Sequence, residues 1–342
     1  MVPPILWQPY RRGFTPGSGP NPLLLDSLLA QQGFELTVLD PYPRPWNPFG
    51  GMNSVLQSLD PLRALRILAR ERRFDLVVSV FEGNALPLLL LRRLFGFRTP
   101  IVLWDIGLTE NWRLRERILN FVVPRIDGIM VLAASQKAYI EKRWAPTCPV
   151  TVVGHSIDVD FYQPSAQQSE DYIFSVGNDV SRDYRTLLRA TEQLDVRLLL
   201  RTNVPVEIEA PRLRDPEVLA RAVSFRELRD LYSKAGMVVL PLRESLNAGG
   251  VSGLLEAAAM GKPMIVSKTE ALREFLIPEM TCLLVPPGDP AAMRGAIDRL
   301  RAAPDLASRL GLSARRFVVD HYSLPAFAGR LARAMTSFIE HS

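Results

Sequence analysis

The feature that most constrains this chain is an alternation, run through twice, of short apolar β-branched stretches with longer amphipathic ones. The first run offers "PILW", "FELTVLD", "FDLVVSVF", "TPIVLWD", "GIMVLA" and "PVTVVG" as strands. "NPLLLDSLLAQQG" and "SQKAYIEKRW" are helices between them. Strands that alternate with helices predict a parallel sheet covered by helices on both faces. The pattern fades at "HSIDVDFYQPSAQQSED", residues 155–171, a polar and aperiodic piece expected to be an interdomain linker. It restarts with "YIFSVGN", "RDYRTLLRATEQL", "VRLLLRT", "SFRELRDLYSKAG", "MVVLPL", "PMIVSK", "CLLVPPGD" and "PAAMRGAIDRLRAAP". The expected fold class is therefore α/β, with two Rossmann-like domains whose parallel sheets face each other across a cleft. The expected domains are 1–160, 161–312 and a helical tail, 313–342, interrupted at "SLPA". A chain of 342 residues is long for a single core, which agrees with two.

Composition narrows the class. With 47% hydrophobic and 23% charged residues, the chain is globular rather than disordered or fibrous. Two cysteines, Cys148 and Cys282, are too few for a disulfide framework, so a reducing, cytoplasmic setting is expected. The start, "MVPPILWQPYRRGF", lacks the pattern of a signal peptide. No stretch reaches the roughly 18–20 apolar residues of a membrane span, and "ALPLLLLRRLFGF" is broken by Arg92 and Arg93. The net charge of +5 lies mostly in the first half, where residues 1–165 carry 18 basic and 14 acidic side chains against 23 and 22 beyond. Stretches such as "RALRILARERRF" are either solvated helix faces or a surface for anionic lipid at the inner face of a membrane. Nucleic acid is not expected, because the arginines are not interleaved with stacking aromatics and no nucleic-acid-binding signature is present. No His, Cys, Asp and Glu cluster has metal-ligand spacing, and "DVD" at 158–160 falls in the linker, so no metal is expected.

One stretch stands apart: "RESLNAGGVSGLLEAAAMGKPMIVS", Arg243–Ser267. Gly249, Gly250, Val251 and Ser252 lead into a helical run. Glycines let backbone N–H groups turn inward, and a helix start adds free N–H groups and the positive end of its dipole. Together they make a cradle for an anion, most naturally a phosphate. A plain glycine-rich loop is the alternative. Glu256 follows three residues after Gly253, where a carboxylate could accept from ribose hydroxyls or simply face the helix dipole.

Ser245–Ser267 resembles the donor-site signature of the GT-B glycosyltransferases of family 4. "PVTVVGHSIDVDFYQP", "FRELRDLYSKAGMVVLPLRE", "CLLVPPGDPAAMRGAIDRL" and "GFTPGSGPNPLLLDSLLAQQGFELTVLD" are similar to other parts of that family. The resemblance implies a GT-B fold in which the C-terminal segment crosses back to the first domain. It also implies retaining transfer of a sugar from a UDP- or GDP-linked donor to a glycan, glycolipid or small-molecule acceptor. No metal or cofactor is implied. The family's signature has two glutamates with seven residues between them. The second falls on Glu256, whose implied role is to bind the donor ribose. The first falls on Ala248, leaving Asn247 and Glu244 as neighbours for the donor sugar. An Arg and a Lys that hold the diphosphate in the family fall on Asn178 and near Arg182. The loop "TPGSGP", with Gly17 and Gly19, corresponds to one that approaches the donor phosphates or the acceptor. The family's histidine near the donor sugar has no counterpart; Asp105, at a strand end in "IVLWDIGLTENW", is the candidate there, with Glu82 a weaker one. His155 is expected to be structural. The departures leave a second reading open: a catalytically degenerate GT-B protein that binds nucleotide sugars or a partner.

Overall fold

The structure, a computed structural model, describes residues 14–39, 60–70, 73–105, 113–165, 170, 172–206 and 216–340. The expected strand "PILW" lies outside them. The chain divides into two compact units. The second comprises Phe14–Asn21 and His155–Ala326; the first takes in Pro22–Gly154 and the chain from Phe327 on.

In the first unit, β1 (Val77–Val80), β2 (Ile101–Asp105), β3 (Gly128–Val131) and β4 (Val150–Val152) form a parallel sheet in that order. Between and before them lie α1 (Leu24–Gln31), α2 (Pro61–Leu68), α3 (Glu82–Phe95), α4 (Arg113–Val122) and α5 (Ala134–Trp144). Local chemistry sets their ends. Asp60 caps α2 by accepting from the Arg63 N–H at 2.9 Å, with Pro61 at the first helical position. Gly96, in the left-handed region, closes α3. Residues 34–39 of the expected strand "FELTVLD" form no ladder. The sequence alternates as a strand does, but a strand exists only when a neighbour accepts its hydrogen bonds, and none is seen among the described residues.

The second unit holds a six-stranded parallel sheet built from β5 (Tyr172–Val176), β6 (Arg197–Arg201), β7 (Glu217–Leu219), β8 (Met237–Leu240), β9 (Met264–Ser267) and β10 (Leu283–Val285). Its order is β10-β9-β8-β5-β6-β7. Strand β8 and β9 are buried throughout, as strands covered on both faces should be. The edge strand β7 was not foreseen; it is three residues long and mostly exposed. Around the sheet lie α6 (Tyr184–Thr191), α7 (Phe225–Lys234), α8 (Val251–Ala259), α9 (Pro290–Ala302) and α10 (Pro304–Tyr322). Gly311 of α10 lies against the Gly261 carbonyl so closely that any side chain at 311 would collide with it.

After a break at Ser323 comes α11 (Leu324–Glu340), whose residues from Phe327 on pack in the first unit. Phe327, Leu331, Met335 and Phe338 share a core with Val102, Met130 and Val153. The ring of Phe338 lies over β3 where Gly128 has no side chain. The chain thus changes unit at Phe327, whereas position 313 lies inside α10.

The polar segment expected to be a linker is packed over its first half. The Asp158 carboxylate accepts from the N–H groups of Asp160 (3.1 Å), Phe161 (3.0 Å) and Asn21 (2.8 Å). That turn delivers Phe161 and Tyr162 into the second unit, where both are buried. The "DVD" carboxylates therefore include a turn-builder rather than a free pair.

Candidate functional site

The strand order of the second unit reverses between β5 and β8. In open α/β sheets the crevice beyond the carboxyl ends of such a pair is where ligands bind. Two loops leave the sheet there, 177–183 after β5 and 241–250 after β8. They are stitched together. The Asp183 N–H donates to the Pro241 carbonyl at 2.9 Å, the Arg243 N–H donates to Ser181 at 2.8 Å, and Arg182 and Leu242 form an antiparallel bridge. Asp183 also caps α6, accepting from the Thr186 N–H at 3.3 Å, and accepts from the Thr186 hydroxyl at 2.6 Å.

Glycines are required where these loops meet. Gly177 adopts φ +152°, and any side chain there would collide with the Arg182 guanidinium. A side chain on Gly249 would collide with the Ser181 hydroxyl. Gly250 adopts φ +86° and precedes α8, which has no side-chain cap. The Val251 N–H turns back to the Ala248 carbonyl at 3.1 Å. The next amides are those that a helix start leaves without an intrahelical acceptor.

Arg182 lies beside them. Its side chain is only 4% exposed, with Nε donating to Asp179 Oδ2 at 2.9 Å. Its Nη1 is buried and finds no hydrogen-bond partner among the described residues. A methyl group placed on Gly250 would sit 3.4 Å from that nitrogen. A buried guanidinium with an unused donor, next to an uncapped helix start, is an arrangement for holding an anion. A side chain so deeply buried is not a solvated surface arginine.

Glu256 sits in the second turn of α8, half-buried. Each of its oxygens accepts from a tyrosine: Oε1 from the Tyr162 hydroxyl at 3.2 Å and Oε2 from the Tyr232 hydroxyl at 2.8 Å. Burial raises its pKa above the usual carboxylate range, and the two phenols pull against that rise. Ser252 is exposed, with Oγ 3.4 Å from His155 Nε2. His155 is itself buried, and burial lowers its pKa to about 3, so the imidazole is neutral.

The remaining candidates fall out differently. The Asn178 side-chain oxygen accepts from Arg201 Nη1 at 3.2 Å and from the Asn203 N–H at 2.9 Å, so it fastens the loop to the end of β6. Ala248 is buried. Next to it, Asn247 Oδ1 is buried and unpartnered among the described residues. Glu244 is exposed and accepts from the Glu270 N–H at 3.1 Å. Gly17, at φ +79°, belongs to a turn in which the Ser18 N–H bonds the Thr15 carbonyl at 3.0 Å; its own carbonyl accepts from Arg226 at 3.3 Å. Gly19 is buried in the same turn. In the first unit, Asp105 ends β2 in register with Val131. Glu82 is buried in an ion pair with Arg115, 2.6 Å from its Nε, which engages the carboxylate internally. Among the described residues no group of His, Cys, Asp and Glu gathers as a metal site, and no helix is long and apolar enough to cross a membrane.

Sequence reasoning did not find Tyr162, Tyr232 or the contact of His155 with Ser252. Tyr232 sits on α7 among residues whose spacing indicates only a core face. Lys262 of "GKP" was also missed: its Nζ donates to the carbonyls of Ser233 (2.5 Å) and Ala235 (2.9 Å) and closes the end of α7.

The architecture is that of the GT-B glycosyltransferases. Sucrose-phosphate synthase from Thermosynechococcus elongatus superposes with a TM-score of 0.70 at 20% identity, over 90% of this chain and 82% of that one. The Anabaena protein HepE, solved in complex with UDP-glucose, gives 0.67 at 15% identity, over 98% and 94%. Residues 171–302 match the family described as glycosyl transferases group 1. Two curated relatives are similar in sequence. An O-antigen chain mannosyltransferase of Salmonella typhimurium is 27% identical over 60% of this chain and 59% of its own length. An MMP α-(1→4)-mannosyltransferase of Mycolicibacterium hassiacum is 28% identical over 66% and 58%. The chain thus spans less than two thirds of the length of these relatives.

Proposed function

We propose that the protein is a retaining glycosyltransferase. It moves a sugar from a UDP- or GDP-linked donor to a glycan, lipid-linked or small-molecule acceptor, with no resident metal or cofactor. The observation that carries this reading is the buried Nη1 of Arg182, unpartnered among the described residues, beside the uncapped start of α8 at the reversal point of the second sheet. As the glycosidic bond to the donor breaks, negative charge grows on the leaving diphosphate. The Arg182 guanidinium and the amides of α8 stabilise that charge where it forms. Glu256 accepts from the ribose, and Asn247 and Glu244 are the nearest groups for the sugar. The sequence relatives with mannosyltransferase activity and the neighbour solved with UDP-glucose support a hexose donor.

The first unit takes the acceptor, with Asp105 at the end of β2 as its candidate contact. Anionic lipid at the inner face of a membrane is the surface it rests on. Leu90, Leu94 and Phe95 of α3 are 49%, 75% and 66% exposed beside exposed Arg93 and Arg98, and no acidic residue occurs between Glu82 and Asp105. A basic and apolar surface of this kind suits a bilayer interface.

The test is calorimetric titration with UDP, GDP, ADP and TDP, then donor turnover with whichever binds. One clear binder with sugar release supports the reading; no binder among the four refutes it. A second reading, a non-catalytic nucleotide-sugar-binding protein, is favoured by Ala248 and by the committed oxygen of Asn178. Binding without turnover across sugars and acceptors would select it.

A further inference from the structure

We propose that Tyr162 and Tyr232 are positioning residues that aim the Glu256 carboxylate at a ribose and so make the site selective for ribonucleotides over 2′-deoxyribonucleotides. This rests on the donor-site reading above. The two phenols reach Glu256 with one donor on each oxygen, at 3.2 and 2.8 Å. Both rings are locked. Tyr162 and Tyr232 are 1% and 0% exposed, and they meet edge to face at 6.4 Å and 86°. Phe161 braces Tyr162 at 4.9 Å, and Phe174 braces Tyr232 at 5.0 Å. The Tyr232 hydroxyl lies closer to Glu256, at 2.8 Å, than to its other acceptor, the Gly253 carbonyl, at 3.4 Å.

A vicinal diol is best bound by two acceptors held at a fixed separation and orientation, which a carboxylate provides when its torsion is fixed. Each phenol uses one lone pair on its oxygen and leaves the other free. The phenols also oppose the effect of burial on Glu256, pulling its raised pKa back toward the ionised, acceptor-only form. Without them the carboxyl group would rotate, or hold a proton and offer one acceptor fewer. The diphosphate contacts lie with Arg182 and the start of α8, so removing a phenol should leave them intact.

The experiment compares the nucleoside diphosphate that the protein binds best with its 2′-deoxy analogue, by calorimetry, in wild type, Tyr162→Phe, Tyr232→Phe, the double variant and each in an E256Q background. Wild type should prefer the ribonucleotide by about tenfold or more, the worth of a charge-assisted hydrogen bond. Each Phe variant should shrink that preference several-fold, the double variant should erase it, and E256Q should make the tyrosines irrelevant to it. The preference for the diphosphate over the bare nucleoside should stay unchanged in all of them. Equal weakening of ribo- and deoxyribonucleotides would mean that the tyrosines only support the fold and would overturn the proposal. The same holds if the Phe variants cost as much in the E256Q background as in wild type. Should Tyr232→Phe not fold, Tyr162→Phe carries the test alone, with the thermal midpoint as control. If wild type binds no nucleoside diphosphate, the donor-site reading falls and this proposal with it. If wild type binds but does not discriminate the 2′-hydroxyl, this proposal alone falls.

Discussion

Replacing Arg182 by Met separates what the residue does for the fold from what it does for a ligand. Methionine keeps an apolar stem and discards the guanidinium that lies over Gly177. In the unliganded protein, Nη1 is a buried donor without a partner among the described residues, a situation that costs on the order of 1–3 kcal/mol. The ion pair given up in exchange is worth little, because the Asp179 side chain is 41% exposed and stays hydrated; pairs of that kind contribute about 0–1 kcal/mol. Arg182→Met should therefore leave the unliganded protein as stable as wild type, or more stable by about 1 kcal/mol, a rise of roughly 2–4 °C in thermal midpoint for a chain of this size. Ligand binding should move the other way. A charge-assisted bond to phosphate is worth about 1.5–3 kcal/mol, so the Kd for the nucleoside diphosphate should rise roughly 10- to 150-fold. The Kd for the bare nucleoside should not change. Calorimetry with diphosphate and nucleoside, beside a thermal melt without ligand, reads all three quantities. A midpoint several degrees lower with diphosphate affinity intact would show that Arg182 serves the fold and that no phosphate meets it.

Gly250→Ala places a Cβ at φ +86°, about 3.1 Å from a Leu242 methyl and 3.4 Å from Arg182 Nη1; it should cost about 1–2 kcal/mol of stability and weaken diphosphate binding more than nucleoside binding, and equal losses would contradict the placement of the anion there. His155 has a folded pKa of about 3 against an ordinary 6.5, so the unfolded chain binds the extra proton between those values. Stability should therefore be full above pH 6.5 and decline as the pH falls toward 3; urea midpoints at pH 7 and pH 4 should differ less in His155→Gln than in wild type, and an equal difference would refute the assignment. Leu94→Glu combined with Phe95→Glu should abolish co-sedimentation with anionic vesicles and leave nucleotide titrations unchanged; retained vesicle binding would remove α3 from the membrane surface. Asn247→Ala should lower donor turnover by at least about tenfold while the affinity for free nucleoside diphosphate stays within twofold, the scale of one lost polar contact; unchanged turnover would take Asn247 out of the sugar site.

The parts of the fold that follow from hydrophobic period were legible in the sequence. β8 and β9 read as continuous apolar runs because both of their faces are covered, and "DPAAMRGAIDRLRAAP" carries its capping Asp289 and its Pro290 in plain view. Residues 34–39 misled because alternation records a half-buried face and not a partner. The segment at 155–171 misled because its order comes from one carboxylate, Asp158, which collects three N–H groups; that contact depends on Asn21, far off in sequence. In the site, the glycine turn and Arg182 were visible as residue types, but the burial of Arg182 was not. It depends on Gly177 clearing room for the guanidinium, which only the folded loop reveals. The tyrosines on Glu256 were invisible for a related reason: they arrive from 94 and 24 residues away in the chain, on segments that otherwise look like core.

These contacts divide the proposed donor site into two halves of different character. On the nucleotide side, the polar groups are held by neighbouring side chains and backbone. Glu256 is fixed by two phenols, Arg182 by Asp179, and the loops by three backbone links. Such a half binds with little reorganisation, because its entropy is lost on folding rather than on binding. On the sugar side the groups are few, and the buried position 248 carries no charge. Ala248 offers only a methyl, Glu244 is exposed and spends one oxygen on a backbone N–H, and Asn247 presents a neutral acceptor. A neutral acceptor binds a hydroxyl about half as strongly as a carboxylate does. Diphosphate affinity should therefore be set by the nucleotide half, while the rate and the identity of the sugar depend on the sparse half. That asymmetry is why nucleotide binding and turnover have to be measured separately: the intact half serves a transferase and a non-catalytic binder equally well, and only the sparse half tells them apart.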